Sequence, residues 1–236
     1  MRTTYALRVL PPAALLLLVL AFVGYAVPPY LTLDPARSRI PIAGTPAGYY
    51  PMLVAHVIAG SVAIVACCFQ AWPWFRTRYP RVHRRIGIAY VFAGVLPAGV
   101  LGLIIGARSP FGPVIAASNV VLASVWLLVT ALGWRAGRAY DLTAHRRWMT
   151  RSVVLTLSIV TNRVWAVIWV IVLWPQLATT FGGNERLMIQ AIAGLSGWLG
   201  WVLPLIATEL WLDRRPRHPA APAARRVPWR SSSTHA

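Results

Sequence analysis

The sequence predicts an all-α membrane protein of six transmembrane helices, with a four-helix core from helices two to five and both termini cytoplasmic. Three observations predict this. The 236 residues are 58% hydrophobic and only 12% charged, and a soluble domain carries about twice that charge fraction. The apolar residues gather into runs of about 20, the length a helix needs to cross a hydrocarbon core about 30 Å thick. The basic residues gather between those runs, in alternate connections, as the positive-inside rule requires.

The charge balance has one further use. A formal net charge of +18, from 23 basic residues against five acids, ordinarily raises a nucleic-acid partner. Here its placement between hydrophobic runs assigns it to membrane orientation. The expected setting is the bacterial inner membrane, with anionic lipids at the basic cytoplasmic face and no nucleic acid. All the basic residues are arginine, so a preference for Arg over Lys at any one position carries little weight.

The helices are expected at about 7–27, 49–72, 81–107, 113–134, 142–174 and 186–211. The first begins with Arg2 and Arg8, and Gly24-Tyr25-Ala26 loosely resembles a cleavage site. Its apolar run exceeds a signal core of about 7–15 residues, so it reads as a retained helix. Residues 28–48 hold five prolines and read as a loop. On helix two, His56, Gly60, Ala63 and Cys67 share a face, a pattern that lets membrane helices approach closely. The basic stretch from Arg76 to Arg85 reads as a short connection, and Arg108-Ser-Pro-Phe-Gly112 as a tight turn. Asp141 is an N-cap for helix five. Residues 213–236 have no apolar period and read as a disordered basic cytoplasmic tail. The adjacent Cys67 and Cys68 cannot form an ordinary disulfide and read as small apolar packing residues.

Helix five, opening at Asp141-Leu-Thr-Ala-His145-Arg-Arg-Trp148, carries the main polar pattern. At about 100° per residue, His145, Ser152, Thr156 and Arg163 fall within roughly 20° of one line. A charge inside hydrocarbon costs roughly 3 kcal/mol or more, so Arg163 is expected to face protein or water. Depth points the same way. At 1.5 Å per residue His56 and Asn119 lie about 9 Å inside the outer boundary. Arg163 lies about 24 Å from the cytoplasmic boundary, in the same layer, with Asn162 and Gln190 at similar depth. His56, Asn119, Asn162, Arg163 and Gln190 form a candidate outer site for an anionic headgroup, a quinone carbonyl or a small acid. Histidine, with an ordinary pKa near 6.5, also suits proton relay there. The structural alternative is a polar network that fixes helix packing.

The sequence also echoes itself. Val82-His83-Arg84-Arg85-Ile86 matches Ala144-His145-Arg146-Arg147-Trp148. His56 precedes His83 by about as many residues as Asn119 precedes His145, which suggests a duplicated hairpin. His83 and His145 would then occupy equivalent first turns.

A resemblance rests on His56-x-x-x-Gly60, Pro80-x-x-His83-Arg84-x-x-Gly87-x-x-Tyr90 and His145-Arg146-x-Trp148-Met149-x-Arg151-Ser152, with Arg163 following. These motifs, spread over roughly Tyr49 to Arg163, resemble a family of predicted bacterial multipass membrane proteins with no assigned function. More distantly, the layout is similar to the b561-type di-haem cytochromes. That likeness implies haem b as a candidate cofactor, with His83 and His145 as axial ligands and Arg84 and Arg146 at the propionates. Asn119 stands where the di-haem pattern has a second outer histidine, so two haems are not implied. The alternative is that both histidines are helix-start residues bonded to neighbours. No metal site beyond that haem iron is legible.

Glu209 is expected to pair with an arginine or reach the surface, and the tryptophans at helix ends to anchor an aromatic belt. There is no phosphate-binding glycine loop, no acid dyad and no Ser-His-Asp set, so no catalytic residues can be named. The best single reading is a haem b- or quinone-linked membrane redox protein. The alternative is a non-enzymatic protein that binds or moves a small molecule or lipid.

Overall fold

A computed structural model describes residues 2–214. The chain runs through α1 (Arg2–Ala26), α2 (Pro28–Leu31), α3 (Tyr49–Ala71), α4 (Pro73–Arg78), α5 (Pro80–Ala89), a π-helical segment (Tyr90–Val95), α6 (Leu96–Ala107), α7 (Pro113–Arg138), α8 (Leu142–Leu173) and α9 (Glu185–Asp213). There is no strand among the described residues. The expected tail lies almost wholly outside them.

Five segments are long and apolar enough to cross a membrane: Tyr49–Ala71, Pro80–Ala107, Pro113–Arg138, Leu142–Gln176 and Glu185–Asp213. The described apolar part of α1 is shorter, Pro12–Ala26, so five of the six expected spans have the length and composition to cross among the described residues. That α1 nevertheless packs on the bundle is shown by Val19, which is fully buried among α3 and the π-segment.

Local chemistry sets the helix ends. Asp141 caps α8 by accepting from the Ala144 amide at 2.9 Å, as expected. Asn184 does the same for α9, accepting from Leu187 at 3.1 Å, so that helix starts at Glu185. Helix α7 runs to Arg138, four residues past the expected end. It stops at Tyr140, whose φ of +59° leaves the right-handed region. Pro175 turns the end of α8 into a short 3-10 segment. The basic connection contains a real helix, α4, with Pro73 in its first turn.

The π-segment is what the periodicity did not predict. It lies directly before Pro97, which has no N–H to give back and whose ring crowds the preceding turn. The wider turn presses Gly94 on α3: a Cβ there would stand 2.8 Å from the Ala63 Cα and 2.9 Å from its nitrogen. The two backbones are in contact, and Ala63 and Cys67 beside them are fully buried.

The core is not confined to the four helices expected. Helix α8 packs most extensively on α9 and next on α7. Val129, Leu155 and Trp201 form a buried cluster across all three. Small residues make this possible, since Gly194, Gly197 and Gly200 of α9 lie against Val114, Ile115 and Asn162. Helix α9 is therefore a core element.

Candidate functional site

The polar line on α8 begins as expected and then divides. Ser152 and Thr156 are buried. They meet Tyr90 from the π-segment, whose hydroxyl lies 2.6 Å from Ser152 Oγ and 2.7 Å from Thr156 Oγ1. From α7, the Trp126 indole donates to Thr156 Oγ1 at 3.0 Å, and Thr130 Oγ1 lies 2.6 Å from Ser152 Oγ. Two i,i+4 pairs on facing helices thus close around one tyrosine. Every hydroxyl has a partner, which a buried polar group requires. Sequence reasoning missed Tyr90, Trp126 and Thr130 as members. The available signal was the i,i+4 spacing of Trp126 and Thr130, matching that of Ser152 and Thr156.

Two turns further along the same line, Arg163 is exposed. Of the two expected surroundings, protein or water, protein is not the one found at this position. Ser158 and Asn162 are at least partly covered, and a Cβ on Gly200 of α9 would come within 2.8 Å of the Asn162 Cα. Ile159 and Arg163, each one residue on and about 100° round, are not covered. Beyond Thr156 the face of α8 held against the protein is the one that meets α9. Thr161, which donates to the Gly200 carbonyl, marks the same contact. Arg163 makes no hydrogen bond or ion pair among the described residues.

The other expected outer residues stand in separate places. His56 is half-buried, and its Nδ1–H donates to the Ala98 carbonyl at 2.8 Å. A carbonyl only accepts, so the neutral ring keeps Nε2 as a free acceptor. The ring lies over Gly102 of α6, where a Cβ would be 3.2 Å from its Cε1. Asn119 lies one turn along α6, against Gly106, and its amide makes no hydrogen bond among the described residues. Asn162 sits at the α8–α9 crossing. Gln190 lies on Gly112, at a pocket of about 360 Å³ between α7 and α9 walled by Val114, Gly194 and Trp198. His56 and Asn119 therefore share the glycine edge of α6, while Asn162 and Gln190 belong to contacts of α9.

At the basic end, His83 and His145 are fourth residues of α5 and α8, and their amides bond the carbonyls of Tyr79 and Asp141, both at 2.9 Å. The echo thus holds locally. Their side chains differ. His145 donates Nδ1–H to the Gly133 carbonyl at 2.8 Å and packs on Gly137, leaving Nε2 free. That is how an orienting contact prepares a metal-ligating imidazole. His83 has a buried Nδ1 with no partner, and its own carbonyl accepts from Gln70 at 2.9 Å. A six-coordinate haem needs two oriented imidazoles, so the pair meets half of that requirement. Arg84 and Arg146 are exposed. No group of three or more metal-ligating side chains occurs among the described residues.

Glu209 pairs with Arg151 as expected, through two short contacts of 2.5 and 2.6 Å. Arg147 donates to the Leu212 carbonyl at 3.2 Å and lies 3.6 Å from Asp213, closing the end of α9.

A family model described as predicted membrane protein (DUF2306) matches residues 53–212, two thirds of the chain. The chain belongs to the DUF2306 family. No curated protein and no solved structure matches it. The matched region of this DUF2306 protein begins inside α3, so α1 and the loop after it lie outside. The fold accounts for much of the His-Arg-x-Trp-Met-x-Arg block. His145 and Met149 pack on Gly137 and Gly133 of α7, and the Trp148 Cβ also lies against Gly133. Arg151 reaches Glu209 on α9, with its guanidinium 4.7 Å from the Trp148 ring centre. The block docks α8 on both of its neighbours.

Proposed function

We propose that this membrane protein binds a small molecule with an anionic group in the half of the bundle away from the basic end. Arg163 supplies the charge. One observation carries the reading: Arg163 makes no ion pair among the described residues. Of its five acids, Asp34 pairs with Arg37, Asp141 caps α8, Glu209 holds Arg151 and Asp213 faces Arg147. Glu185 opens α9, about 22 Å along that helix from Gly200, which packs on Asn162, the residue before Arg163. An uncompensated guanidinium within a membrane span costs several kcal/mol unless water or an anion meets it. His56 Nε2 and the Asn119 amide, at the separate edge of α6, are further polar groups with no partner among the described residues.

The arginine-rich connections support an orientation with the basic end in the cytoplasm and this site in the outer leaflet. Arg163→Gln in detergent-solubilised protein tests the reading. The expected result is at least a tenfold loss of affinity for a set of phosphate and carboxylate compounds, with the melting temperature unchanged because the residue is exposed. Equal binding by the variant would sink it.

The haem b or quinone redox reading retains one favourable feature, the His145 bond to Gly133, without a counterpart at His83. The expected reduced-minus-oxidised spectrum of the purified protein has no b-type band. A band abolished by His83→Ala and by His145→Ala would replace the anion reading with a redox one.

A further inference from the structure

We propose that the anion at Arg163 is the phosphate of a membrane lipid, which enters sideways from the bilayer along the uncovered face of α8. This rests on the anion-binding reading and names its ligand class.

The surroundings of Arg163 decide between a soluble acid and an amphiphile. A pocket for a water-soluble acid needs polar groups to replace the hydration of the whole ligand. Arg163 instead stands in an apolar field. Ile159, Val164, Val167 and Ile168 lie within one and a half turns of it and are 36–61% exposed. Of the five spans, α8 is the least covered by protein, with 17% of its apolar window buried against 28–44% for the others. One cation in an otherwise bare aliphatic surface matches a ligand with one charged group and a long apolar body. The phosphate takes the guanidinium through charge-assisted hydrogen bonds, and an acyl chain lies along Val167 and Ile171 (68% exposed).

The open seam has a structural cause. One side of α8 is tied to the π-segment and α7 by Tyr90, Trp126 and Thr130. Contacts with α9 run along α8 from Arg147 and Arg151 through Leu155 to Thr161 and Asn162, and leave the face of Ile159 and Arg163 open. Charge complementarity selects the occupant. A second copy of the chain would bring another unpaired Arg163 to the same face.

The test is native mass spectrometry of the full chain, released from micelles holding equal amounts of phosphatidylglycerol and phosphatidylcholine. The wild type is expected to retain one phosphatidylglycerol with at least a tenfold preference. Arg163→Gln should lose that preference and Arg163→Lys should keep most of it. Glycerol 3-phosphate alone should not bind. If glycerol 3-phosphate binds at Arg163 as well as the lipid does, the lipid assignment is overturned and the anion-binding reading stands. If neither binds, both fail. Undiminished lipid retention by Arg163→Gln would place the lipid at the arginine-rich end and overturn the assignment.

Discussion

Gly94→Val is expected to destabilise the protein by about 3 kcal/mol, the upper end for overpacking. At Gly94 the new side chain meets backbone: the Cα and nitrogen of Ala63 stand 2.8 and 2.9 Å from the position of a Cβ. Backbone cannot rotate aside as a flexible side chain can. The π-segment and α3 must separate, which also pulls Tyr90 away from Ser152 and Thr156. A fall in melting temperature of about 5 °C or more in detergent would register this. Gly60→Val on α3 is the control, because a Cβ there meets nothing within 4 Å. If both variants melt alike, the close approach at Gly94 is not what holds the helices.

The second large effect is expected at Glu209. Glu209→Ala leaves the Arg151 cation, whose side chain is 14% exposed, without its two short bonds. Breaking a buried pair from one side costs about 3–5 kcal/mol. Glu209 itself is 39% exposed, so solvent screening reduces the expected loss to roughly 2 kcal/mol. The double variant Arg151→Met with Glu209→Leu should recover most of that loss, since no charge remains to be satisfied. Thermal unfolding of Arg151→Met, of Glu209→Leu and of the double variant gives the coupling between the two positions. Additive losses would show that the ion pair does not clamp α8 to α9.

The sequence made the membrane class legible because composition and run length are local properties. Each span had to be long and apolar wherever its neighbours lay, and helix ends at Asp141 and Pro175 followed from capping and proline chemistry. The pairing of Glu209 with some arginine was legible for the same reason, because a carboxylate at that position has few alternatives. Other outcomes depended on how helices meet. The glycines of α9 bring it against α7 and α8, which makes it part of the core.

The candidate site was partly legible. His56, Asn119 and Arg163 stood out because polar groups in apolar helices are costly. That Arg163 is uncovered while Asn162 beside it is covered follows from where α9 lies against α8, which one helix's periodicity does not contain. Tyr90 was visible as a residue but not as a hub, since its partners lie on two other helices.

By itself, then, the sequence determined which segments enter the membrane and which polar residues they carry, because hydrophobic transfer acts on each segment alone. Only the tertiary structure decided which of those polar groups meet partners and which are left to the bilayer, because that depends on backbone contacts at Gly94, Gly133 and Gly200 between segments far apart in the chain.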